Sequence, residues 1–275
     1  MTNAELNEIW EELSIIYKGI LFNNCDFADG VNEKITYNFN CPQFDVLKEK
    51  YKLEKIAKSG TDFEKATNLL SFFALKISHK SNFQNNVNCN AIDLLEYCLN
   101  KPQNGINCLN KSKILQECCL SLGIYARRIW LMPYSPYDTD NHVVTEIYDF
   151  NLSKWIMLDM TANGYFVNSK GLPLSVLEIR SGFAINDSCE FVNASSTHNK
   201  IFADGQAERL YYQQYFAKNL CYLFVESQNE FANNNKRVAF IPKNFDLTKI
   251  LKQKSFNTRD IPSVGSITML LKPPE

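Results

Sequence analysis

The segment from residue 101 to residue 132 most constrains the fold, because it encodes a turn, a helix and a strand in succession. A Gly- and Asn-rich turn ends at Cys108, and apolar residues then recur with the helical period as far as Leu122. Gly123 follows where a left-handed residue commonly closes a helix. The β-branched, aromatic and aliphatic residues from Ile124 to Met132 are typical of a strand. The sequence therefore places Cys108 in the first turn of a helix that leads into a sheet.

The predicted position of Cys108 favours a reactive thiol. In the first turn of a helix, a sulfur atom faces backbone N–H groups that have no helical acceptor, at the positive end of the helix dipole. These groups stabilise a thiolate, which is the nucleophilic form of cysteine. Cys108 is therefore a candidate nucleophile.

Two further residues stand where a β-hairpin would bring them together. His142 opens the alternating segment HVVTEIYDF, Asp159 ends KWIMLD, and residues 150–153 form the turn between the two segments. Antiparallel pairing around that turn places His142 roughly opposite Asp159. The imidazole could take the thiol proton, and the carboxylate could orient the imidazole and stabilise the imidazolium. The pattern predicts a triad of Cys108, His142 and Asp159.

These three segments resemble the transglutaminase-like superfamily of papain-like thiol enzymes over about residues 60–185. GINCLNKSKILQECCLSLGIYARRI resembles the nucleophile helix, NHVVTEIYD the histidine strand and KWIMLDMTANGYF the aspartate strand. The stretch from Gly171 to Ile179 is similar to bacterial members. The resemblance implies that Cys108 is the nucleophile, that His142 is the general base and acid, and that Asp159 orients His142.

The chain departs from the cross-linking members of that superfamily at three positions. Those enzymes usually carry Gln before and Trp after the nucleophile, where this sequence has Asn107 and Leu109, and Val144 stands where an aromatic residue often follows the histidine. The calcium sites and β-sandwich domains of the animal enzymes are not recognisable in the sequence. We therefore expect hydrolysis rather than protein cross-linking.

Hydrophobic patterning predicts an α+β fold, in which a papain/transglutaminase-like core packs helices on an antiparallel sheet. Further helices are predicted over residues 3–22, 43–58, 62–78, 91–99 and 208–224, a loop over 188–204, and short strands near 237–241 and 266–271. The aromatic stripe of the helix at 208–224, which includes Tyr211 and Tyr215, is expected to be core. We expect residues 1–58 to be an N-terminal helical elaboration, 59–185 the core, and 186–275 a C-terminal elaboration packed on it.

Charge and hydropathy exclude several classes of protein. With 29 basic and 30 acidic residues the net charge is −1, which argues against nucleic-acid or anionic-membrane partners. The apolar runs are far shorter than a membrane span, and the N-terminal segment lacks the pattern of a secretory signal. We expect a cytoplasmic protein that acts on a peptide or protein substrate.

The cysteines indicate neither a disulfide framework nor a zinc site. Their number is odd, and none forms a CxxC pair. They are Cys25, Cys41, Cys89, Cys98, Cys108, Cys118, Cys119, Cys189 and Cys221. We expect about seven or eight of them to be buried, reduced thiols, and we expect no metal or other cofactor.

Three other residues have simpler accounts than catalysis. His79 is expected to cap the C-terminus of the helix at 62–78, although it could instead line the cleft and help bind an oxyanion. His198 lies in a polar segment and is expected at the surface. Glu146 shares a strand face with His142 and is expected to pair with Arg127 or Arg128 on the neighbouring strand.

Two classes of function remain open. The first is a thiol enzyme that attacks a peptide or amide bond through a thioester, whether protease, amidase, deamidase or acyl transferase. The second is a catalytically idle domain that binds a peptide or protein, with its groove closed by the C-terminal region. The intact set of Cys108, His142 and Asp159 favours the first. The substrate, the acyl acceptor and the oligomeric state stay open.

Overall fold

A central sheet organises the computed structural model, which describes residues 2–101, 103–195, 199, 201–233, 236–248 and 262–275. The helices in chain order are α1 (Asn3–Phe22), α2 (Pro42–Tyr51), α3 (Leu53–Ala57), α4 (Asp62–Lys76), α5 (Ala91–Asn100), α6 (Cys108–Ser121), α7 (Val176–Ala184), α8 (Gly205–Asn219) and α9 (Thr268–Leu271). The strands are β1 (Thr36–Tyr37), β2 (Ser78–His79), β3 (Gly105–Ile106), β4 (Ala126–Met132), β5 (His142–Asp149), β6 (Lys154–Leu158), β7 (Gly164–Val167), β8 (Glu190–Asn193), β9 (Tyr222–Glu226), β10 (Gln228–Asn229), β11 (Arg237–Phe240) and β12 (Ser263–Val264).

The strand order of the central sheet is β12-β11-β9-β4-β5-β6. Its neighbours pair antiparallel, except that β11 and β12 are parallel. Separate two-stranded sheets are formed by β1 with β10, β2 with β3, and β7 with β8. Strands β9, β11 and β12 come from the C-terminal region that the sequence separates from the core, and they continue the sheet of β4 to β6. The fold is α+β, as the sequence predicts, and the division at residues 58 and 185 stays a prediction.

Helices cover both faces of this sheet. On one face, α2 to α6 share a core with Ile147, Ile156 and Leu158. On the other face, α1, α7 and α8 share a core with Val144 and Met157. Successive strand residues alternate between the two cores, which is the period of two that a pleated strand imposes.

The local sequence explains where α4 and α6 begin and end. Thr61 and Glu64 form a capping box at the start of α4. The Asn107 side chain caps α6 by accepting from the N–H of Asn110, and Gly123 follows α6 with a φ of 76°. Residue 108 is therefore fixed as the first residue of a helix whose length and direction are set at both ends.

Helix α6 is buried along most of its length, and several of its polar side chains are paired. Glu117 accepts from the N–H groups of Ala91 and Ala232 at 2.7 and 2.8 Å. Lys113 lies 3.2 Å from Glu117 and donates to Gln116. An unpaired charge in such a place would cost several kcal/mol, so these contacts hold α6 rigidly in the core.

Two predicted helices are shorter than the sequence indicates. The helix expected over 43–58 is broken at Lys52, whose φ of 52° separates α2 from α3. The helix expected over 62–78 ends at Lys76, because Ile77 is extended and leads into β2. Both patterns contain the correct apolar face, and neither contains a Gly or Pro that would mark the break.

The C-terminal third differs most from the prediction. Residues 190–193 form β8 inside the expected loop, and the helix expected over 208–224 ends at Asn219, before β9. Strand β9 is buried on both faces, so its continuous apolar run is easily taken for a helix extension. The strand expected near 266–271 is wrong, since Thr268–Leu271 is helical and the strand lies at Ser263–Val264.

All nine cysteines are free, but fewer are buried than expected. Five are buried, three are half-buried and Cys25 is exposed. The buried cysteines lie in helices α5 and α6 or directly before strands β8 and β9. No helix in the described part of the chain is long and apolar enough to cross a membrane.

Candidate active site

Cys108 is the first residue of α6 and lines a cavity of about 550 Å³. Its side chain is half-buried, which leaves the sulfur accessible from that cavity. Asn107 accepts hydrogen bonds from the N–H groups of Asn110 and Lys111. The N–H groups of Cys108 and Leu109 have no acceptor within the helix. The sulfur thus stands beside the unpaired donors of a helix N-terminus, as the sequence predicts.

His142 and Asp159 meet across the hairpin of β5 and β6. The register pairs Thr145 with Leu158, so Asp159 is level with Val144, two residues from His142. The contact is therefore diagonal and not directly opposite, and both side chains lie on the same face of the sheet. His142 Nε2 and Asp159 Oδ2 are 2.7 Å apart, and the two side chains are 4% and 1% exposed.

Asp159 remains ionised although it is buried. Its Oδ1 accepts from the backbone N–H groups of Thr161 and Ala162 at 2.7 and 3.2 Å. Burial raises the pKa of Asp159, but His142 and these two N–H groups outweigh burial and hold the pKa below its ordinary value. The turn after β6 therefore supplies a fixed negative charge behind the imidazole.

His142 is held as the charged partner of that carboxylate. Burial lowers the pKa of His142, but Asp159 and a hydrogen bond with the Cys108 sulfur outweigh burial and raise the pKa to about 10. Because Asp159 occupies Nε2, Nδ1 is the ring nitrogen left for the sulfur. The rings of Tyr215 and Phe216 pack edge-on against the imidazole, with centroids at 5.4 and 5.6 Å, and fix its plane. The arrangement favours transfer of a proton from the thiol to the imidazole.

Aromatic side chains form much of the wall of this cavity. Tyr211 and Tyr215 come from α8, Trp130 from β4 and Phe224 from β9. The expectation that the aromatic stripe of α8 is core holds only in part at Tyr211 and Tyr215, which pack against the core but are half-buried and also line the cavity. Tyrosine, with its polar end, is the signal in that stripe that could have indicated a cavity wall.

His79 lies at the same cavity and not at the end of α4. It belongs to β2, where it pairs with Ile106, two residues before Cys108. The surrounding protein, then Lys111 and His142, lower the pKa of His79, so the imidazole is neutral at pH 7. The cleft position that the sequence left as an alternative is the one observed. His198 lies outside the described residues.

Glu146 has the structural role expected of it. Glu146 and Arg127 form a buried ion pair at 2.7 Å, whereas Arg128 pairs with Glu226 on β9. The second pair could not be inferred from the sequence, because it depends on β9 lying next to β4. In the described part of the chain, no group of three or more His, Cys, Asp or Glu residues is placed to hold a metal ion.

Lys111 is a site residue that the sequence reasoning missed. It lies three residues after Cys108 on α6, and its side chain is buried in the wall of a second cavity next to the one that Cys108 lines. The spacing alone could have indicated it, since residues i and i+3 share one face of a helix.

Residues 49–160 match the model of the transglutaminase-like superfamily, and this stretch contains Cys108, His142 and Asp159. Residues 49–160 are therefore similar to the core of that superfamily. No match was found among curated proteins.

One solved structure, described as a "putative cysteine protease from Cytophaga hutchinsonii", is 20% identical to this chain with a TM-score of 0.37. The match covers 50% of this chain and 43% of that protein, so this chain spans less than half of its length.

Proposed function

We propose that this protein is a thiol hydrolase that cleaves a peptide or amide bond through a thioester on Cys108. The observation that carries the proposal is the connected set of Cys108, His142 and Asp159 at the wall of a 550 Å³ cavity. A cavity of this size is within the usual range for small-molecule and peptide-side-chain sites. The match of residues 49–160 to a thiol-enzyme family supports the same chemistry.

In the first half of the reaction, His142 Nδ1 holds the proton taken from the thiol, and the Cys108 sulfur attacks the carbonyl carbon of the substrate as a thiolate. Asp159 stabilises the imidazolium through Nε2. The carbonyl oxygen becomes an oxyanion, for which the backbone N–H of Cys108 and the neutral imidazole of His79 are the proposed donors. The C–N bond then breaks, and the imidazolium protonates the leaving amine.

In the second half, water attacks the thioester carbonyl and His142 takes a proton from that water. The tetrahedral intermediate collapses, the C–S bond breaks, and the sulfur leaves as a thiolate beside the imidazolium. The product is a carboxylic acid, and the starting pair of Cys108 and His142 is restored. Asn107 and Leu109, which flank the nucleophile in place of the Gln and Trp of cross-linking enzymes, favour water as the acceptor over a protein amine.

A catalytically idle peptide-binding domain is the alternative, and one observation favours it. Tyr215 lies against the His142 ring, which leaves that histidine residue only 3% exposed. If the tyrosine wall does not move, neither a leaving amine nor the hydrolytic water could reach the His142 imidazole.

The hydrolase and the idle domain differ in whether a covalent acyl intermediate forms on Cys108. Wild-type protein is incubated with a broad panel of peptides and glutamine amides, quenched in acid and analysed by intact-mass spectrometry with site mapping. We expect hydrolysis and an acyl adduct on Cys108, both lost in Cys108→Ala and both retained in Cys25→Ala. Cys25 is a matched control because it is the exposed cysteine and does not line the cavity. Binding of a panel peptide without any adduct or hydrolysis by wild type would favour the idle domain.

A further inference from the structure

A second cavity of about 420 Å³ adjoins the catalytic one. The two share His79, Thr161 and Asn199 in their walls. Because the walls are shared, a substrate bound at Cys108 could extend directly into the second cavity. The polar side chains that line only this second cavity include Lys111 and Asn163.

Lys111 places a cation in this cavity. The residue is 2% exposed, and its ammonium has no hydrogen bond or ion pair with any residue that the structure describes. The contrast is Lys113 on the same helix, which is equally buried but lies 3.2 Å from Glu117 and 2.7 Å from the carbonyl oxygen of Asn233. Helix α6 therefore pairs one of its two buried lysines within the protein and turns the other towards a cavity.

The charge on Lys111 calls for an anion that the nearby protein groups do not supply. Burial lowers the pKa of Lys111 to about 8, against the opposite effects of Asp159, Cys98 and Cys108, so most of the amine is protonated at pH 7. Asp159 is already committed to His142 and to two backbone N–H groups. A buried cation without a close counter-ion is costly, and a bound anion relieves that cost.

Two more polar groups in the wall are unpaired. Thr161 Oγ1 and Asn163 Oδ1 are buried and have no hydrogen-bond partner among the described residues. The orientation of the Asn163 amide is fixed by its neighbours, since Asn193 donates to Glu208 and therefore accepts from Asn163 Nδ2. Asn163 is 8% exposed, and its free atom is thus an acceptor.

A cation, a hydroxyl and a carbonyl acceptor match the end of a peptide. A terminal carboxylate would take an ion pair from Lys111 and a hydrogen bond from the Thr161 hydroxyl. The backbone N–H next to that carboxylate would donate to Asn163 Oδ1. Lys111 follows Cys108 by three residues, a rise of about 4.5 Å along the helix, so the carboxylate would lie within one or two residues of the scissile carbonyl.

We propose that this second cavity is a carboxylate subsite, in which Lys111, Thr161 and Asn163 bind the free C-terminal carboxylate and adjacent N–H of a substrate. As a statement about substrate, the inference rests on the proposed hydrolase function. It makes the protein a hydrolase that acts close to a free peptide C-terminus. As a statement about binding, it is independent of turnover.

Binding is measured on the full-length Cys108→Ala protein, which cannot form a thioester. The probes are N-acetyl amino acids and their matched primary amides, which differ only in the carboxylate and retain the adjacent N–H. Ligand-observed NMR titration gives the affinities. We expect at least one acid to bind about tenfold or more tightly than its amide.

Lys111→Met in the same background should reduce that preference to about twofold or less, and Lys111→Arg should retain part of it. Lys80→Met is the matched control, because it removes a positive charge one residue from His79 but outside both cavities, and it should leave the preference intact. If Lys111→Met does not fold, Thr161→Val serves as the second variant and should weaken acid binding by about three- to tenfold.

The subsite is overturned if no acid binds more tightly than its amide, or if the preference survives in Lys111→Met or, where that variant does not fold, in Thr161→Val. Turnover by wild type is read separately on N-acetyl dipeptides and longer peptides with free or amidated C-termini. Carboxylate-dependent binding without any turnover would defeat the hydrolase and leave the subsite standing. Turnover that ignores the carboxylate would leave the hydrolase standing and overturn the role of the subsite in binding the substrate.

Discussion

Replacing Asp159 with asparagine removes one charge from the buried pair and leaves the shape of the side chain almost unchanged. The N–H groups of Thr161 and Ala162, which now donate to Oδ1, would hold the amide oxygen in the same place. The amide NH₂ group must then face His142 Nε2, now 2.7 Å from Oδ2. Because NH₂ donates, Nε2 becomes an acceptor and the ring proton moves to Nδ1.

That tautomer is the wrong one for taking a proton from Cys108. We expect kcat to fall by about 10²- to 10⁴-fold, the range that general base catalysis contributes, whereas Cys108→Ala removes turnover entirely. The pKa of His142 should also change. Burial lowers it, and Asp159 with Cys108 now raises it to about 10, so without the carboxylate it should fall below the ordinary value of 6.5.

The measurement is an NMR titration of the histidine side chains in wild type and Asp159→Asn, with His79→Gln used to assign the signals. Asp149→Asn is the matched control. Asp149 is a buried carboxylate on the same hairpin that accepts from the N–H groups of Phe63 and Leu152. Asp149→Asn should lower the free energy of unfolding by about 1–3 kcal/mol and leave the pKa of His142 unchanged. An unchanged His142 titration in Asp159→Asn would refute the coupling derived from the geometry.

The same pair determines how stability depends on pH. Because folding raises the pKa of His142 from 6.5 to about 10, its contribution is complete below pH 6.5 and declines as the pH rises towards 10. Folding lowers the pKa of Asp159 from 3.8, so its contribution is complete above that pH and is lost as the pH falls through the lower value. Thermal unfolding should show an alkaline loss of Tm that is smaller in Asp159→Asn, and equal losses would contradict this account.

Three further predictions concern other residues. Iodoacetamide should label Cys108 faster than the more exposed Cys25, because the Cys108 sulfur is hydrogen-bonded to an imidazole; site mapping by mass spectrometry checks this, and faster labelling of Cys25 would count against it. Lys113→Met should lower the free energy of unfolding in urea by about 3–5 kcal/mol, because Glu117 loses its buried cation, and adding Glu117→Gln should recover part of the loss; no recovery would mean that the pair is not coupled. His79→Ala should lower kcat with little change in KM, and His79→Gln should restore part of kcat, whereas a change in KM alone would remove His79 from the oxyanion site.

Helix α6 and the hairpin of β5 and β6 could be predicted from the sequence because their signals are local. Asn107 and Gly123 mark both ends of α6, and the alternation in β5 is interrupted only by its turn. The diagonal contact between His142 and Asp159 depends on the register of a single tight turn. Each of these signals lies within about 20 residues of the feature it determines.

The cavity wall and the Arg128–Glu226 pair could not be predicted, because they depend on pairings between distant segments. Strand β9 lies beside β4, about 90 residues earlier, and nothing near either strand encodes that contact. Without β9 in place, Phe224 and the tyrosines of α8 could not be assigned to the cavity, nor Glu226 to Arg128. The charged residues of α6 give a misleading signal about burial. Lys111 and Lys113 would ordinarily indicate a solvent-facing surface, but both are buried.

The placement of β9 beside β4 also has a consequence for the order in which the protein can become active. During synthesis, Cys108, His142 and Asp159 all leave the ribosome well before α8 and β9, which supply Tyr211, Tyr215 and Phe224 to the cavity wall. A nascent chain can therefore form the hairpin and the nucleophile helix while one side of the sheet still ends at β4. Closure of this long-range contact is expected to be a late and comparatively slow step of folding. Cys108, the proposed nucleophile, would then acquire a complete cavity only after most of the chain has emerged, which limits the interval in which its thiol stands beside an incomplete cavity wall.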